Sequence, residues 1–440
     1  MKELLARIQD RTARIGVIGQ GYVGLPLALV FREAGFPVTG FDVDPGKITL
    51  LAKGESFIRH IGPERVKAAV ESGKYLPTAD FDKLAECDAI IICVPTPLGL
   101  HREPDNSYIH STAREIAKRL RRGQLVILES TTYPGTTDEE VRPILEASGK
   151  KCPDDFLLAF SPEREDPGNE RFSTRSIPKV VGGVNPASTE AAATLYRAAL
   201  DKVVPVASAR VAESCKLLEN VFRSVNIALV NELKMTFDRM GIDVWEVIDA
   251  ARTKPFGFMP FFPGPGLGGH CIPLDPFYLS WKAAEFGVWT RFIELAGEIN
   301  TQMPRYVVSR LASALNEDSK PLRGSRVLVL GLAYKANIDD DRESPSYEIL
   351  ELLEESGAKY EYCDPFFPKM RKTRRHEMGL SSVACQPGVF AQYDAVLVAT
   401  GHDCFKDREL YRGVKLVVDT RNLVAPLFPT PGDGPRIVKG

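Results

Sequence analysis

The sequence predicts an α/β protein in which two doubly wound domains are joined by a central helical domain with one long helix. Three observations predict it. Short apolar strand segments alternate with helical ones along the N-terminal part of the chain. A run from Ser208 to Met240 carries neither Pro nor Gly. A segment near Ser325 echoes the first strand and turn of the chain.

The first unit opens on "ARIGVIGQGYVGLPLALVFREAGFPVTGFDVD". Its apolar run predicts a strand over Ile15 to Ile18, then a glycine turn, a helix to about Ala34 and a second strand ending at Asp42. Further strands are predicted at Ala89 to Val94, Leu125 to Glu129, Phe156 to Ala159 and Lys179 to Val181. In the long run, Leu218, Phe222, Val225, Leu229, Leu233, Phe237 and Met240 recur at three- and four-residue steps, with Ser208 placed to cap the start and Gly241 to end it. Val221, Ile227 and Val230 lie off that stripe, which predicts a helix covered on several sides, one that links domains and also pairs subunits.

The echo lies in "SRVLVLGLAYK" and "YEYCDP", which repeat "ARIGVIGQGYV" and "VTGFDVDP". The spacing from Gly331 to Asp364 is longer than that from Gly19 to Asp42, and the insertion "ANIDDDRESPS" fills it. The second unit therefore reads as a nucleotide-binding fold with altered phosphate chemistry. The expected domains are 1–206, 207–320 (a helical linker and dimerisation domain) and 321–440.

A net charge of -2 gives no electrostatic case for nucleic acid, and the basic run Lys369 to Arg375 reads as a solvated face. The N-terminal segment resembles a short amphipathic helix rather than a secretory signal, and no apolar run is long enough to span a bilayer. A cytoplasmic location with no membrane partner is expected. The eight cysteines form no CxxC pair and no metal-ligand spacing, so no metal is expected and reduced thiols are the simplest account.

Gly19, Gly21 and Gly24 form G-x-G-x-x-G between a strand and a helix. That arrangement lets the backbone approach a pyrophosphate at the helix N-terminus and marks a Rossmann-like dinucleotide site. Asp42, ending the next strand, is placed to meet ribose hydroxyls and to repel a 2′-phosphate, which favours NAD over NADP. "ILESTTYPGTT" and "FSPEREDPGN" follow strands, at the edge where such sheets bind ligands; each is otherwise an ordinary polar turn. Lys216 and Asn220 share one helix face, as solvated residues or as a pair able to stabilise an alkoxide. In "GPGLGGHCIPLDP", Cys271 stands beside His270 in a run too rich in Gly and Pro for a helix or strand interior. With no partners at metal spacing, the metal reading falls away. A thiol on so constrained a loop is also poorly explained as core filler.

Taken in order, GQGYVGLP with FDVD, STTYPGT, SPERE, AESCKLLEN, GGHCIPLDP and GLAYKANIDDDRESPS resemble the UDP-glucose/GDP-mannose dehydrogenase family along essentially the whole chain. Its members oxidise the C6 alcohol of a nucleotide sugar to a carboxylate with two NAD. The resemblance implies that Cys271 is the catalytic thiol, that Lys216 and Asn220 bind the alkoxide, and that Asp275 is the carboxylate sharing proton handling. It implies that Thr131 and Glu163 hold the water of the thioester step. It adds Tyr22, Val23, Lys47, Thr96 and Thr131 to the glycines and Asp42 as cofactor-binding residues. Phe262, Gly268, Lys335, Arg342 and Arg421, with Glu163, Lys216 and Asn220, are the implied substrate-binding set.

GGHC and the Phe/Pro-rich approach to it resemble the branch acting on UDP-N-acetylhexosamines, UDP-N-acetylglucosamine first, with UDP-N-acetylmannosamine or UDP-glucose as alternatives. The implied assembly is a homodimer or dimer of dimers. The active site is expected where the two α/β domains face each other across the long helix, with His270 structural or substrate-facing. A one-step β-hydroxyacid-type dehydrogenase and a non-catalytic nucleotide-sugar binding protein remain as rivals.

Overall fold

The computed structural model describes residues 1–58, 61–99, 103–164, 174–269, 272–372, 376, 378–430 and 432–440. The chain divides into two compact units, Met1–Glu219 with Phe277–Trp289, and Asn220–Pro276 with Thr290–Gly440.

The first unit is built on β1 (Ile15–Ile18), β2 (Val38–Phe41), β3 (Tyr75–Thr78), β4 (Ala89–Ile92), β5 (Leu125–Leu128), β6 (Leu157–Phe160), β7 (Lys179–Gly183) and β8 (Val203–Pro205). Their order in the sheet is β3-β2-β1-β4-β5-β6-β7-β8, and all neighbours are parallel except the antiparallel pair β6 and β7. β1 is central, with Ile15 opposite Val38 on one side and Ala89 on the other. The strands β1, β4, β5 and β6 are buried at every residue. Helices cover both faces of a parallel sheet, so its strands read as continuous apolar runs rather than alternating ones. The strands β3 and β8 escape the sequence reading because they are only four and three residues long and each carries a proline, Pro77 and Pro205.

The second unit carries β9 (Arg326–Leu330), β10 (Lys359–Cys363), β11 (Ala395–Val398), β12 (Leu416–Asp419) and β13 (Arg436–Lys439) in the parallel order β10-β9-β11-β12-β13. The chain reverses its direction of travel at β9, and such a switch point leaves a crevice at the strands' carboxyl ends.

The long helix, Ala209–Met240, has 32 residues, about 48 Å at 1.5 Å per residue. The boundary between the two units falls within it. Ser208 Oγ accepts the Val211 N–H at 3.3 Å. At the other end Gly241 takes φ +71° and Ile242 donates back to Phe237 O at 2.9 Å, the left-handed stop the sequence predicts. Its faces are inverted relative to a surface helix. Glu213, Lys216, Asn220, Ser224, Asn231 and Lys234 are buried, whereas none of the seven residues of the predicted apolar stripe is. Leu218 is 67% exposed and Leu229 53%.

Candidate active site

In the first unit the glycine turn follows β1 directly and enters the helix Gly24–Glu33. Gly19 has φ +91°, and a Cβ there would lie 2.4 Å from Cys93 O. At Gly24 a Cβ would lie 1.8 Å from Gly19 O, so only glycine closes this turn. Gly21 differs: a Cβ there meets nothing within 4 Å, and the space it faces belongs to a cavity of about 700 Å³. That cavity is lined by Gly19, Gly21, Asp42, Lys47, Cys93 and Arg119 among others, at the carboxyl ends of β1, β2 and β4.

Asp42 is buried at the end of β2, where its two oxygens accept the Gln20 and Asp44 N–H groups, each at 2.9 Å. Lys47 Nζ stands 3.5 Å from the same carboxylate. Gln20 is itself locked by bonds to Val17 O and from Tyr75 Oη, at 2.8 and 2.7 Å. The acid that would meet a ribose is thus fixed before any ligand arrives. An open glycine, a helix N-terminus and a fixed carboxylate around one cavity fit a dinucleotide.

Of the other expected cofactor residues, Tyr22 packs on the core beside the turn, and Val23 lines a small separate space of about 20 Å³ with Glu129 and Glu163. Thr96 is buried and its carbonyl accepts the Tyr278 hydroxyl. Thr131 stands half-buried just after β5.

Two features the sequence reading missed hold this edge. Ser130 Oγ accepts Val94 N–H at 2.9 Å and donates to Val94 O at 2.7 Å, tying the turns after β4 and β5. Glu213, in the first turns of the long helix, accepts Gly135 N–H, Thr137 N–H and the Thr137 hydroxyl at 2.7, 3.0 and 2.6 Å. Burial pushes its carboxyl up to about 7 despite those three donors. The only hint in the sequence is an acid one turn before Lys216. Lys216 is 4% exposed, and its ammonium donates to both the carboxylate and the carbonyl of Glu163, each at 2.9 Å.

In the second unit Asn220 Nδ2 donates to Asp275 Oδ2 at 2.6 Å, and both side chains are buried. Asp275 is the first residue of the helix Asp275–Glu285. His270 and Cys271 lie outside the described residues. The loop leading to them is laid against the C-terminal sheet domain: a Cβ at Gly268 would lie 2.5 Å from Tyr334 Cβ, and Gly269 N–H donates to Arg342 O at 2.9 Å. Phe262 stacks on Trp245 with centroids 5.4 Å apart.

At the switch point of this sheet lies a cavity of about 560 Å³ lined by Lys335, Thr400, Lys406, Arg421, Pro426 and Leu427 among others. Of the substrate-binding cations that the resemblance implies, Lys335 and Arg421 line this cavity and Arg342 is not among its lining residues. The Arg342 guanidinium is turned onto Asp340, with contacts at 2.6, 2.9 and 3.1 Å. Asp364, the counterpart of Asp42, is sealed. One oxygen accepts Leu332 and Ala333 N–H and the ring of His402, the other accepts Phe366 and Phe367 N–H. Burial works to raise its pKa, and the His402 bond and backbone donors overcome that and hold it below the ordinary value. His402 Nδ1 accepts Asn337 N–H at 3.0 Å, which leaves Nε2–H to face the carboxylate. The second unit thus keeps the fold but has spent its ribose acid on structure, leaving cations and an apolar floor to recognise a ligand.

Among the described residues no group of three or more His, Cys, Asp or Glu is placed to hold a metal, and no helix is long and apolar enough to cross a membrane.

A dinucleotide cradle in one α/β unit and a cationic cavity at the switch point of another define the class as a dinucleotide-binding protein with a second site suited to an anionic ligand. Comparison with known proteins sharpens this. The NAD-binding, central and UDP-binding domain models of the UDP-glucose/GDP-mannose dehydrogenase family match residues 13–200, 210–302 and 328–426. The chain is 38% identical to a UDP-N-acetyl-D-glucosamine 6-dehydrogenase of Pseudomonas aeruginosa over 90% of its own length and 92% of that protein's. It is 35% identical to a UDP-N-acetyl-D-mannosamine dehydrogenase of Pyrococcus horikoshii, over 93% and 96%. A solved UDP-D-ManNAc dehydrogenase structure from Pyrococcus horikoshii superposes with a TM-score of 0.86 at 33% identity, over 97% of this chain and 99% of that one. The chain belongs to the UDP-glucose/GDP-mannose dehydrogenase family and is an NAD-dependent nucleotide-sugar dehydrogenase.

The glycines give a direct test of the cradle. Gly21→Ala is expected to keep wild-type stability within about 0.5 kcal/mol, since its methyl meets no protein atom. It should weaken NAD binding by about tenfold or more in titration calorimetry. Gly24→Ala, whose methyl collides with backbone, should lose stability first. Equal NAD affinity in Gly21→Ala and wild type would mean the pyrophosphate lies elsewhere.

Proposed function

We propose that the protein oxidises the C6 hydroxyl of a UDP-N-acetylhexosamine, UDP-N-acetylglucosamine first, to the uronic acid. Oxidation proceeds through a thiohemiacetal and a thioester on Cys271. The observation that carries this reading is the burial of the long helix's polar residues in pairs: Lys216 held by Glu163 and, one helical turn on, Asn220 held by Asp275. Burying a lysine and an asparagine on a helix is costly, and an ammonium and an amide kept out of water act strongly on developing negative charge. NAD, when bound, accepts one hydride in each of the two oxidations.

In this reading Lys216 and Asn220 stabilise the C6 alkoxide and later the tetrahedral oxyanion. Asp275 takes and returns protons through water. Glu163 and Thr131 hold the water that opens the thioester. Thr131 also belongs with Gly19, Gly21, Tyr22, Val23, Gly24, Asp42, Lys47 and Thr96 in binding the cofactor. Lys335 and Arg421, with Phe262, Gly268 and Arg342, bind the nucleotide sugar.

The test is stoichiometric. Two NADH formed per sugar nucleotide consumed supports the two-step route. One NADH favours a single-step dehydrogenase, and none a binding protein. The relatives carry the names of different N-acetylhexosamines, so initial rates with UDP-N-acetylglucosamine, UDP-N-acetylmannosamine and UDP-glucose decide the sugar. A clear preference for either of the last two defeats the present choice.

The same reading includes a homodimer or dimer of dimers formed through the long helix. Leu218, Phe222 and Leu229 are exposed along one stripe of it, an apolar strip that a monomer would leave in water. Leu229→Glu is expected to shift the mass measured by light scattering to that of one chain. An unchanged dimer would move the interface elsewhere.

A further inference from the structure

Two buried asparagines have no part in the chemistry above. Asn231 is on the long helix and Asn300 on the helix Arg291–Glu317, and they are 0% and 2% exposed. Asn231 Nδ2 donates to Asn300 Oδ1 at 2.9 Å, and Asn300 Nδ2 donates to Ser224 O at 3.1 Å. Leucines would pack two helices without needing partners in a dry core, so an amide pair there calls for a purpose beyond packing. What leucines could not do is accept a hydrogen bond, and Asn231 Oδ1 accepts one from Gly264 N–H at 3.0 Å. Gly264 begins the loop that runs to Gly269.

Gly264 in turn lies against Arg421. A Cβ at that position would be 2.5 Å from Arg421 Nη1 and 3.1 Å from Cζ. The guanidinium is braced from the other side by Nε donating to Ala399 O at 2.9 Å, while the residue's backbone N–H donates to Asp419 Oδ1 at 3.0 Å. Arg421 lines the cavity at the switch point of the C-terminal sheet. The residue is half-buried, and the desolvation of its guanidinium against the cavity wall brings its pKa down to about 10.

We propose that Asn231 and Asn300 are positioning residues of the nucleotide-sugar site, an amide relay that fixes the Gly264 backbone and thereby sets where the Arg421 guanidinium meets the diphosphate. The proposal rests on the UDP-sugar reading above. Neither asparagine touches substrate in this scheme; both act through Gly264 and Arg421. The relay should therefore govern capture of the nucleotide while leaving the oxidation steps unchanged once substrate is bound.

Gly264→Ala is the cleanest test, because its added methyl meets the movable end of one side chain rather than backbone. Calorimetry with UDP alone is expected to show the Kd raised about tenfold or more. The thermal midpoint and the NAD affinity should stay as in wild type, and KM for the UDP-sugar should rise while kcat at saturation stays within about twofold. Asn231→Ala should show the same split. If that variant does not fold, Asn300→Ala, which withdraws only the brace behind Asn231, takes its place. Combining Gly264→Ala with Arg421→Lys should cost less than the two single losses added, since both act on one group. Wild-type affinity for UDP in Gly264→Ala, or in the folded asparagine variant, overturns the proposal, as does full additivity with Arg421→Lys. A wild-type protein that does not bind UDP at all defeats the functional reading instead.

Discussion

Cys271→Ala is expected to lower uronic acid formation by at least about 10³-fold while leaving the dissociation constants for NAD and UDP unchanged. The proposed reaction removes two hydrides from one carbon, and on that route the aldehyde between them must either hydrate in place or be held. Addition of the thiolate to the aldehyde carbon forms a C–S bond and an alkoxide. The second hydride loss turns that adduct into a thioester, and water cleaves the C–S bond to release acid and thiol. Without sulfur the first oxidation still has its alkoxide stabilisers, and the reverse reaction stays open. The variant should therefore give a small, reversible formation of NADH and almost no acid. Acid formation near the wild-type rate would remove Cys271 from the mechanism and return attention to direct hydration. Unaltered NAD and UDP binding is needed to show that the loss is chemical.

Much of the fold was legible because its signals are local. The glycine turn, the strand before it and Asp42 lie within one βαβ unit, and each residue's role follows from backbone geometry. The second unit was legible as an echo of the first, but the fate of Asp364 was not. Its closure depends on His402, which arrives from the turn after β11, and no short-range pattern announces that bond. The long helix shows a different limit. Periodicity establishes which residues share a face, and the stripe from Leu218 to Met240 does share one; it does not say which face the chain covers. The covered face is the polar one, because its groups find partners far away in sequence: Glu213 at Thr137, Lys216 at Glu163, Asn231 at Gly264. Lys216 and Asn220 were found by resemblance, with spacing showing only that they share a face. Glu213 lies within AESCKLLEN and Asn231 in none of the quoted motifs, and the bonds that each one makes emerge only from coordinates.

Lys216→Met should be costly in two separable ways. The ammonium donates to the Glu163 carboxylate and carbonyl, and both side chains are largely out of water. Removing one partner of such a pair leaves the other charge buried, a loss of about 3–5 kcal/mol in folding stability. If the ammonium meets the oxyanion as proposed, removing that donor lowers kcat by about 10²–10³-fold. A fall in activity alone could therefore reflect partial unfolding. The double variant Lys216→Met with Glu163→Gln separates the two, because a neutral amide beside the methionine no longer carries an unpaired charge. Its thermal midpoint should return most of the way to wild type, while kcat stays at least as low as in Lys216→Met. A double variant that regains activity along with stability would make Lys216 a structural counterion to Glu163. Continued loss of the first hydride transfer in a stable double variant, a step that Glu163→Gln alone should retain because Glu163 serves the later thioester opening, places the ammonium in the chemistry, where it meets the alkoxide that precedes each hydride transfer.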